Sequence, residues 1–428
     1  MTVKTFYNLA KKDLYPICRS ITGKGIVKSL KIIKKKFPQL KIFRIKSGTR
    51  VFDWKVPSEW NIKDAYIIDK YKRKIVDFKK NNLHVVNYSV PVSKKISKEK
   101  LLKKLHYLKN QKKAIPYVTS YYNKDWGFCI NYLQKKNIEK RYEKKDNFNV
   151  VINSSFNKTG YLNYGELILK GKSSQEILIS TYLCHPSMAN NELSGPIVSM
   201  LLINYFKKKK MNKTLRFLFI PETIGSISYL SKKKNILKEK VVGGYNLTCI
   251  GDEKNHSCMF TKYGNTLADD ALRNSYKKLK INYKSYSFLK RGSDERQYNS
   301  PGIDLPIASI FRSKYGEYKE YHTSEDDFNL VTTKGLLGGF KVAKESIKNL
   351  DNMIIPITNV DCEPQLSKRG MYSTISRKNI KKSSKVLLSF LQYSDGKNDL
   401  KKICKYLKIN MTLAINIYKK LKLKKLLK

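Results

Sequence analysis

Three observations predict an α/β fold built on a mostly parallel sheet with flanking helices. From about Asn149, strand-like runs alternate with helical periods, the arrangement that βαβ units require. The run Ile177–Leu183 is almost continuously apolar, as a strand covered on both faces must be, and it leads straight to His185. A polar turn follows, then Ser194-Gly195 and an apolar helix. A second histidine, His322, sits in the acidic stretch Glu320-Tyr321-His322-Thr323-Ser324-Glu325-Asp326-Asp327. Sheets of this kind carry function just beyond the carboxyl ends of their strands.

At 428 residues the chain is long enough for more than one core. Residues 1–39 show two helical patterns, Thr2–Leu9 and Gly25–Lys36, the second with Ile26, Leu30 and Ile33 on one face. They read as a helical part of the main domain. Residues 40–130 read as a small β-rich insert: Leu40–Ile45, Arg50–Trp54, Ala65–Asp69 and Leu83–Ser89 are β-branched and aromatic, with Gly, Pro, Asn and Asp between them. Within it, Lys98–Leu108 is expected to be a helix and Pro116–Cys129 an aromatic return segment. The α/β core occupies 131–355. Its expected strands are Asn149–Ile152, Tyr161–Leu169, Ile177–Leu183, Thr214–Ile220, Gly244–Ile250, Tyr283–Phe288 and Leu305–Phe311; its helices are Gly195–Phe206, Ser226–Leu230, Leu267–Leu279 and Lys334–Asn349. After a polar, turn-rich stretch, Ser384–Gln392, Lys397–Leu407 and Thr412–Leu421 read as three short amphipathic helices, so 362–428 is expected to be a winged-helix-like domain.

The net charge of +53 invites a nucleic-acid reading. The basic residues, however, are 75 lysines and only 12 arginines, and the lysines form short runs everywhere instead of one patch. Arginine is the better residue for bidentate phosphate and base contacts, so nucleic acid is disfavoured as a partner. No apolar stretch approaches the ~18 residues needed to cross a bilayer, so no membrane partner is expected. Met1–Lys12 lacks the apolar core of a signal peptide. Seven scattered cysteines without a C-x-x-C pair fit a reducing compartment, and the expected location is cytoplasmic. A homo-oligomer is left open.

Besides His185 and His322, oxygen-bearing residues fall at strand ends: Glu222 past the run Phe217–Ile220, Asp252 after Gly244–Ile250, and Asp294 in Ser293-Asp294-Glu295-Arg296. Histidine nitrogens with carboxylate oxygens suit zinc at an open catalytic site. Glu222 has a plainer reading as a negative charge near the N-terminus of the next helix. His84, expected on a strand, and His106, expected on a helix, read as structural, and His256 as a solvated loop residue. Tyr121, Tyr122 and Trp126 read as core first and pocket lining second. Cys184 beside His185 raises a Cys–His nucleophile, against which adjacent strand residues point to opposite faces.

In that order, His185 with Ser194-Gly195, Glu222 with Gly225-Ser226, Asp252, Ser293-Asp294 and His322–Asp326 resemble the zinc aminopeptidases with co-catalytic metal sites. The stretches Val51-Phe52-Asp53-Trp54, Pro57-Ser58-Glu59-Trp60, Trp126-Gly127-Phe128-Cys129, Cys184-His185-Pro186-Ser187, Asp294-Glu295-Arg296-Gln297 and Tyr321-His322-Thr323-Ser324 resemble, more closely, a bacterial aminopeptidase-like family with a β-rich insert and a C-terminal winged helix, often linked to surface-polysaccharide gene clusters. The resemblance implies a zinc-exopeptidase-like core. It implies His185, Asp252 and His322 as ligands of one or two zinc ions, Glu222 as ligand or general base, Asp326 orienting His322, and Asp294 in support. Arg296 is a candidate for a substrate carboxylate or oxyanion. The substrate implied is a peptide or an amide-bearing small molecule. Two departures stand out. Asn191 occupies the position of the bridging aspartate, with Glu192 able to replace it only through a register shift of the turn. Thr223 stands where a second glutamate belongs. The same scaffold without catalysis, binding a peptide or glycan while the helical tail contacts a partner or DNA, is the alternative.

Overall fold

The computed structural model describes residues 1–371 and 378–428, the side chains of 378–383 excepted. Part of the turn-rich stretch 363–378 therefore lies outside the described residues.

An eight-stranded mixed sheet runs, in spatial order, Lys41–Lys46, Tyr161–Leu169, Thr214–Ile220, Glu176–Tyr182, Val241–Leu247, Ile307–Phe311, Ser257–Met259 and Lys284–Tyr286. The four strands from Thr214–Ile220 to Ile307–Phe311 are parallel to one another, and antiparallel pairings flank them. Every residue of these four strands is buried, which is why they read as unbroken apolar runs without alternation. Ser194–Phe206 is apolar nearly all round because it is wedged between the sheet and the helices Val3–Leu9 and Thr333–Asn352. Gly195 makes the close approach possible: a Cβ there would lie 2.3 Å from the Leu247 carbonyl oxygen. Ile224–Lys240 covers the opposite face.

The insert differs from expectation in its limits. Lys41–Lys46, placed in the insert by its texture, pairs with Tyr161–Leu169 and extends the main sheet. The insert's own sheet is Lys74–Asp77, Glu59–Ile68, Asn147–Asn157 and Val92–Ser97, all antiparallel. Asn147–Asn157, assigned to the core, is thus the insert's long central strand, and the boundary near 130 falls inside the unit. Both strands are partly exposed, Asn147–Asn157 in alternation, and such strands give no clue to which sheet they join. The expected helix Lys98–Leu108 stops at Leu102. Leu105–His106 instead pairs in parallel with Phe128–Cys129, so His106 lies on a strand. His84 closes a short 3-10 turn, and its Nδ1 faces the Cys129 carbonyl at 2.8 Å.

The helices Lys378–Gln392, Leu400–Leu407 and Met411–Leu423 enclose a separate small core that includes Phe390, Ile403, Ile417 and Leu421. This winged-helix unit meets the α/β core through Lys402, which bonds Asp270 at 2.9 Å and the Asn265 carbonyl at 2.7 Å. Among the described residues no helix is long and apolar enough to cross a membrane.

Candidate functional site

The parallel strands end on one edge of the sheet, and there the turns bring His185, Glu222, Thr223 and Asn191 together with His322. The strand Glu176–Tyr182 stops three residues before His185, so the alternation of faces expected for Cys184 and His185 is lost. The Cys184 sulfur lies 3.5 Å from His185 Nδ1. Burial nevertheless pushes the Cys184 thiol up to about 11, which leaves it protonated and a poor nucleophile.

His185 is almost fully buried, and its two ring nitrogens face different groups. Nδ1 meets a Glu192 carboxylate oxygen at 2.8 Å, while Nε2 lies 3.7 Å from Glu222. Burial alone would lower the His185 pKa, but the Glu192 carboxylate on Nδ1 opposes that and the net shift is upward, so a cation at Nε2 would displace a proton there. The His322 ring centroid is 5.4 Å from that of His185, and Tyr117 lies against both rings, 5.2 Å from each. Tyr321 stacks on His322 at 3.9 Å. Burial, then the neighbouring His185, push His322 down to about 3, so it stays a neutral ring with a free lone pair. Burial raises Glu222, with His185, Ser293 and Arg296 pulling the other way.

Tyr117 belongs to the insert. Its N–H donates to the His322 carbonyl at 2.8 Å, the Ser324 N–H donates to the Ile115 carbonyl, and the Tyr117 and Tyr121 hydroxyls bond each other at 2.9 Å. The aromatic return segment is therefore a wall of the site. Tyr122 and Trp126 stand apart from it: Tyr122 packs on Trp54, and Lys94 and Lys104 lie over Trp126.

Several predicted residues do other work. The Asp252 carboxylate accepts from Asn190 Nδ2, from the Ser313 hydroxyl and N–H, and from the Lys254 N–H at 2.7–3.0 Å. It is saturated as a clamp between turns, which corrects its expected place as a ligand. Asp326 does not orient His322. It collects the N–H groups of Ala189, Asn190 and Asn191 and the Tyr318 hydroxyl, pinning the turn after His185. Asn191 Oδ1 accepts from the Tyr182 hydroxyl at 2.7 Å. Asp294 accepts from the Thr223 N–H and the Ser226 hydroxyl, both at 2.8 Å; burial and Glu222 raise it to about 7. Arg296 donates to the Thr223 hydroxyl at 2.6 Å. His256 is not a free loop residue, since it packs on Arg312.

The turn Ala189–Leu193 is π-helical, the register shift that lets Glu192 reach His185. It reaches Nδ1, not the Nε2 side where a bridging carboxylate would stand. Thr223 has φ 62° and ψ −82°, a strained conformation for a β-branched residue, and Ser187, Cys249, Tyr121 and His322 also have positive φ. Such strain collects at functional sites.

Two imidazoles sharing a zinc at the usual Zn–N distance of about 2.0–2.1 Å place their centroids roughly 5 Å apart, so the His185–His322 spacing fits one ion. Among the described residues, the His, Cys, Asp and Glu atoms within 4.8 Å of one another are those of Cys184, His185 and Glu192. That group uses Nδ1, which Glu192 already holds. Nε2 is the nitrogen turned toward Glu222, and we take its side as the cation side. The set His185, Glu222 and His322 is more open than 4.8 Å, and Glu222, 22% exposed, is the member with room to move. A second ion finds no bridging carboxylate at Asn191. Nothing in the sequence marked Arg19; Glu192 stood out only as a replacement for the bridging aspartate, and Tyr117 only as part of the aromatic return segment.

A mixed sheet with a parallel centre, and two histidines and a glutamate at the carboxyl ends of its central strands, defines an aminopeptidase-like α/β protein with an appended winged helix. The chain belongs to the family described as "Domain of unknown function (DUF4910)", which matches residues 7–353, and a winged helix-turn-helix family matches 355–428. A Clostridium acetobutylicum protein named for polysaccharide biosynthesis and an aminopeptidase-like domain is 42% identical over 92% of this chain and 89% of its own. A solved structure from the same organism, titled as a peptidase, has a TM-score of 0.79 at 40% identity, covering 100% of this chain and 96% of that one. A zinc aminopeptidase from Bacillus subtilis shares the fold alone, at 13% identity and TM-score 0.59 over 81% of this chain and 94% of its own.

Proposed function

We propose that the protein is a metal-dependent hydrolase of amide bonds, in which His185, through Nε2, and His322 would hold one zinc ion. The single observation that carries this reading is the pair of imidazoles 5.4 Å apart, the buried His185 with its outer nitrogen occupied by Glu192 and the half-buried His322 held neutral. When bound, the ion supplies Lewis acidity toward water and the amide carbonyl. Glu222, raised by burial, accepts the proton of the attacking water and returns it to the leaving amine. Arg296, anchored on Thr223, faces the negative charge of a substrate carboxylate or developing oxyanion. Tyr117 and Tyr321 exclude bulk water around the rings. The substrate is an N-terminal amino acid amide or an amide-linked group on a sugar precursor; the relative's name for polysaccharide biosynthesis supports the second. Metal content of the purified protein tests the site. His185→Ala and His322→Ala are expected to abolish stoichiometric zinc, and equal content in all three proteins would end the proposal.

Asn191 supports a second reading, a scaffold that binds a glycan or peptide without cleaving it. Its side chain is a neutral amide held by Tyr182. Asn191→Asp is expected to raise turnover of aminoacyl anilides at least tenfold if the site is only weakened. No change in rate would favour binding. A DNA-contacting tail would show as salt-dependent duplex binding lost on removing 363–428.

A further inference from the structure

Arg19 is fully buried, yet it comes from a segment far from the sheet edge in sequence. It follows the π-helical turn Ala10–Leu14, where the chain leaves the first helix, and its guanidinium passes beneath the turn that carries His185. Its Nε donates to the His185 carbonyl at 3.0 Å and lies 3.6 Å from Glu192 Oε1; Nη1 donates to the Leu14 carbonyl. Glu192 is equally buried, and its other oxygen meets His185 Nδ1 at 2.8 Å. A cation, a carboxylate and an imidazole thus stand in series, the first two fully buried and the third nearly so. An isolated buried guanidinium or carboxylate is costly, so each of the two charges needs the other.

We infer that Arg19 and Glu192 are a positioning pair for the cation site. Arg19 lies against Glu192 and fixes its place, Glu192 accepts a hydrogen bond from His185 Nδ1–H, and Nε2, the nitrogen that faces Glu222, is left as the one to hold a cation. The same guanidinium grips the His185 backbone, so ring tautomer and main-chain position are set by one side chain. A carboxylate on the outer nitrogen also makes the imidazole a stronger donor to a metal. Neither residue touches the substrate. This role explains why the turn is π-helical: an α-helical register would move Glu192 off the Nδ1 axis.

The inference rests on the one-ion reading above, and one experiment separates the two. Zinc and cobalt(II) affinities are measured by calorimetry, and the visible spectrum of the cobalt(II) protein is recorded, for the wild type and for the double variant Arg19→Met/Glu192→Met. The double variant replaces both charges with apolar side chains of similar volume and keeps the turn packed. The expected result is a 10- to 100-fold loss of affinity with a changed cobalt(II) spectrum, while thermal unfolding stays cooperative. A wild type that binds no cation would overturn the one-ion reading and this inference together. Wild-type binding matched by an unchanged variant, in affinity and spectrum, would overturn this inference alone. Should the double variant not fold, Glu192→Asp decides. It keeps the charge but withdraws the carboxylate from Nδ1, so several-fold weaker binding supports the pair and unchanged binding refutes it.

Discussion

Thr223 concentrates the strain of the site in one residue. It follows Glu222 directly, and its backbone fixes the direction in which that carboxylate leaves the strand. Glycine reaches this conformation without a Cβ penalty, whereas alanine does not. Both substitutions remove the hydroxyl that Arg296 uses, so the contrast between them isolates the backbone. Thr223→Gly is expected to be more stable than Thr223→Ala by about 1 kcal/mol in denaturant unfolding; equal stabilities would mean the turn is unstrained. At this scale His185, Glu222 and His322 were legible in the sequence, because strongly patterned strands and an acidic motif set their places. Asp252 and Asp326 misled for a physical reason. A carboxylate at a strand end serves a cation and a row of backbone N–H groups equally well, and only the fold decides which it meets. Arg19 was hidden because His185, whose carbonyl it bonds, lies 166 residues away.

Among the elements, the start of Thr214–Ile220 and the end of Thr333–Asn352 are joined by Lys213. Its ammonium donates to the carbonyls of Asp351 and Met353, capping the helix end, while its N–H donates to the Asp351 carboxylate. Burial pulls Lys213 down to about 8, with Asp351 and Asp399 opposing. An unfolded lysine holds its proton to about 10.4, so between these values the unfolded chain binds more protons and stability rises with pH. Relative to Lys213→Met, the wild type is therefore expected to gain about 2–3 kcal/mol from pH 8 to pH 10.4, read as the difference between urea midpoints. A flat difference would place the ammonium in water. Elements with continuous apolar runs, such as Thr214–Ile220, were readable to the residue. Lys41–Lys46 and Asn147–Asn157 were readable as strands but not as members of a given sheet, since pairing is a property of two segments and pattern of one.

Over the whole molecule, the winged-helix unit has its own core and meets the α/β body mainly through Lys402 and the link at Ile355, to which Gln175 donates. The chain ended at 355 is expected to keep its circular dichroism per residue and its zinc affinity, with a melting temperature lowered by a few degrees; loss of cooperative melting would make the unit part of the core. A groove of about 670 Å³ between the N-terminal helices and the insert, lined by Lys12, Lys28, Lys35 and Lys36 beside Ile17, Ile32 and Phe78, has no histidine in its lining. The domain plan was visible as shifts of texture along the chain. Its boundaries were not, because the insert is stitched into the body by strands on both sides of it.

The wall supplied by Tyr117 has a consequence for synthesis. Its main chain is bonded to His322, 205 positions later, and His185 waits for that same ring. A ribosome-bound chain that has emerged only through the first four strands of the main sheet, to Ile220, owns His185, its acidic support and half a wall, but not His322. Under the one-ion reading, the order in which the polypeptide is made keeps the site from closing on a cation until His322 has been added.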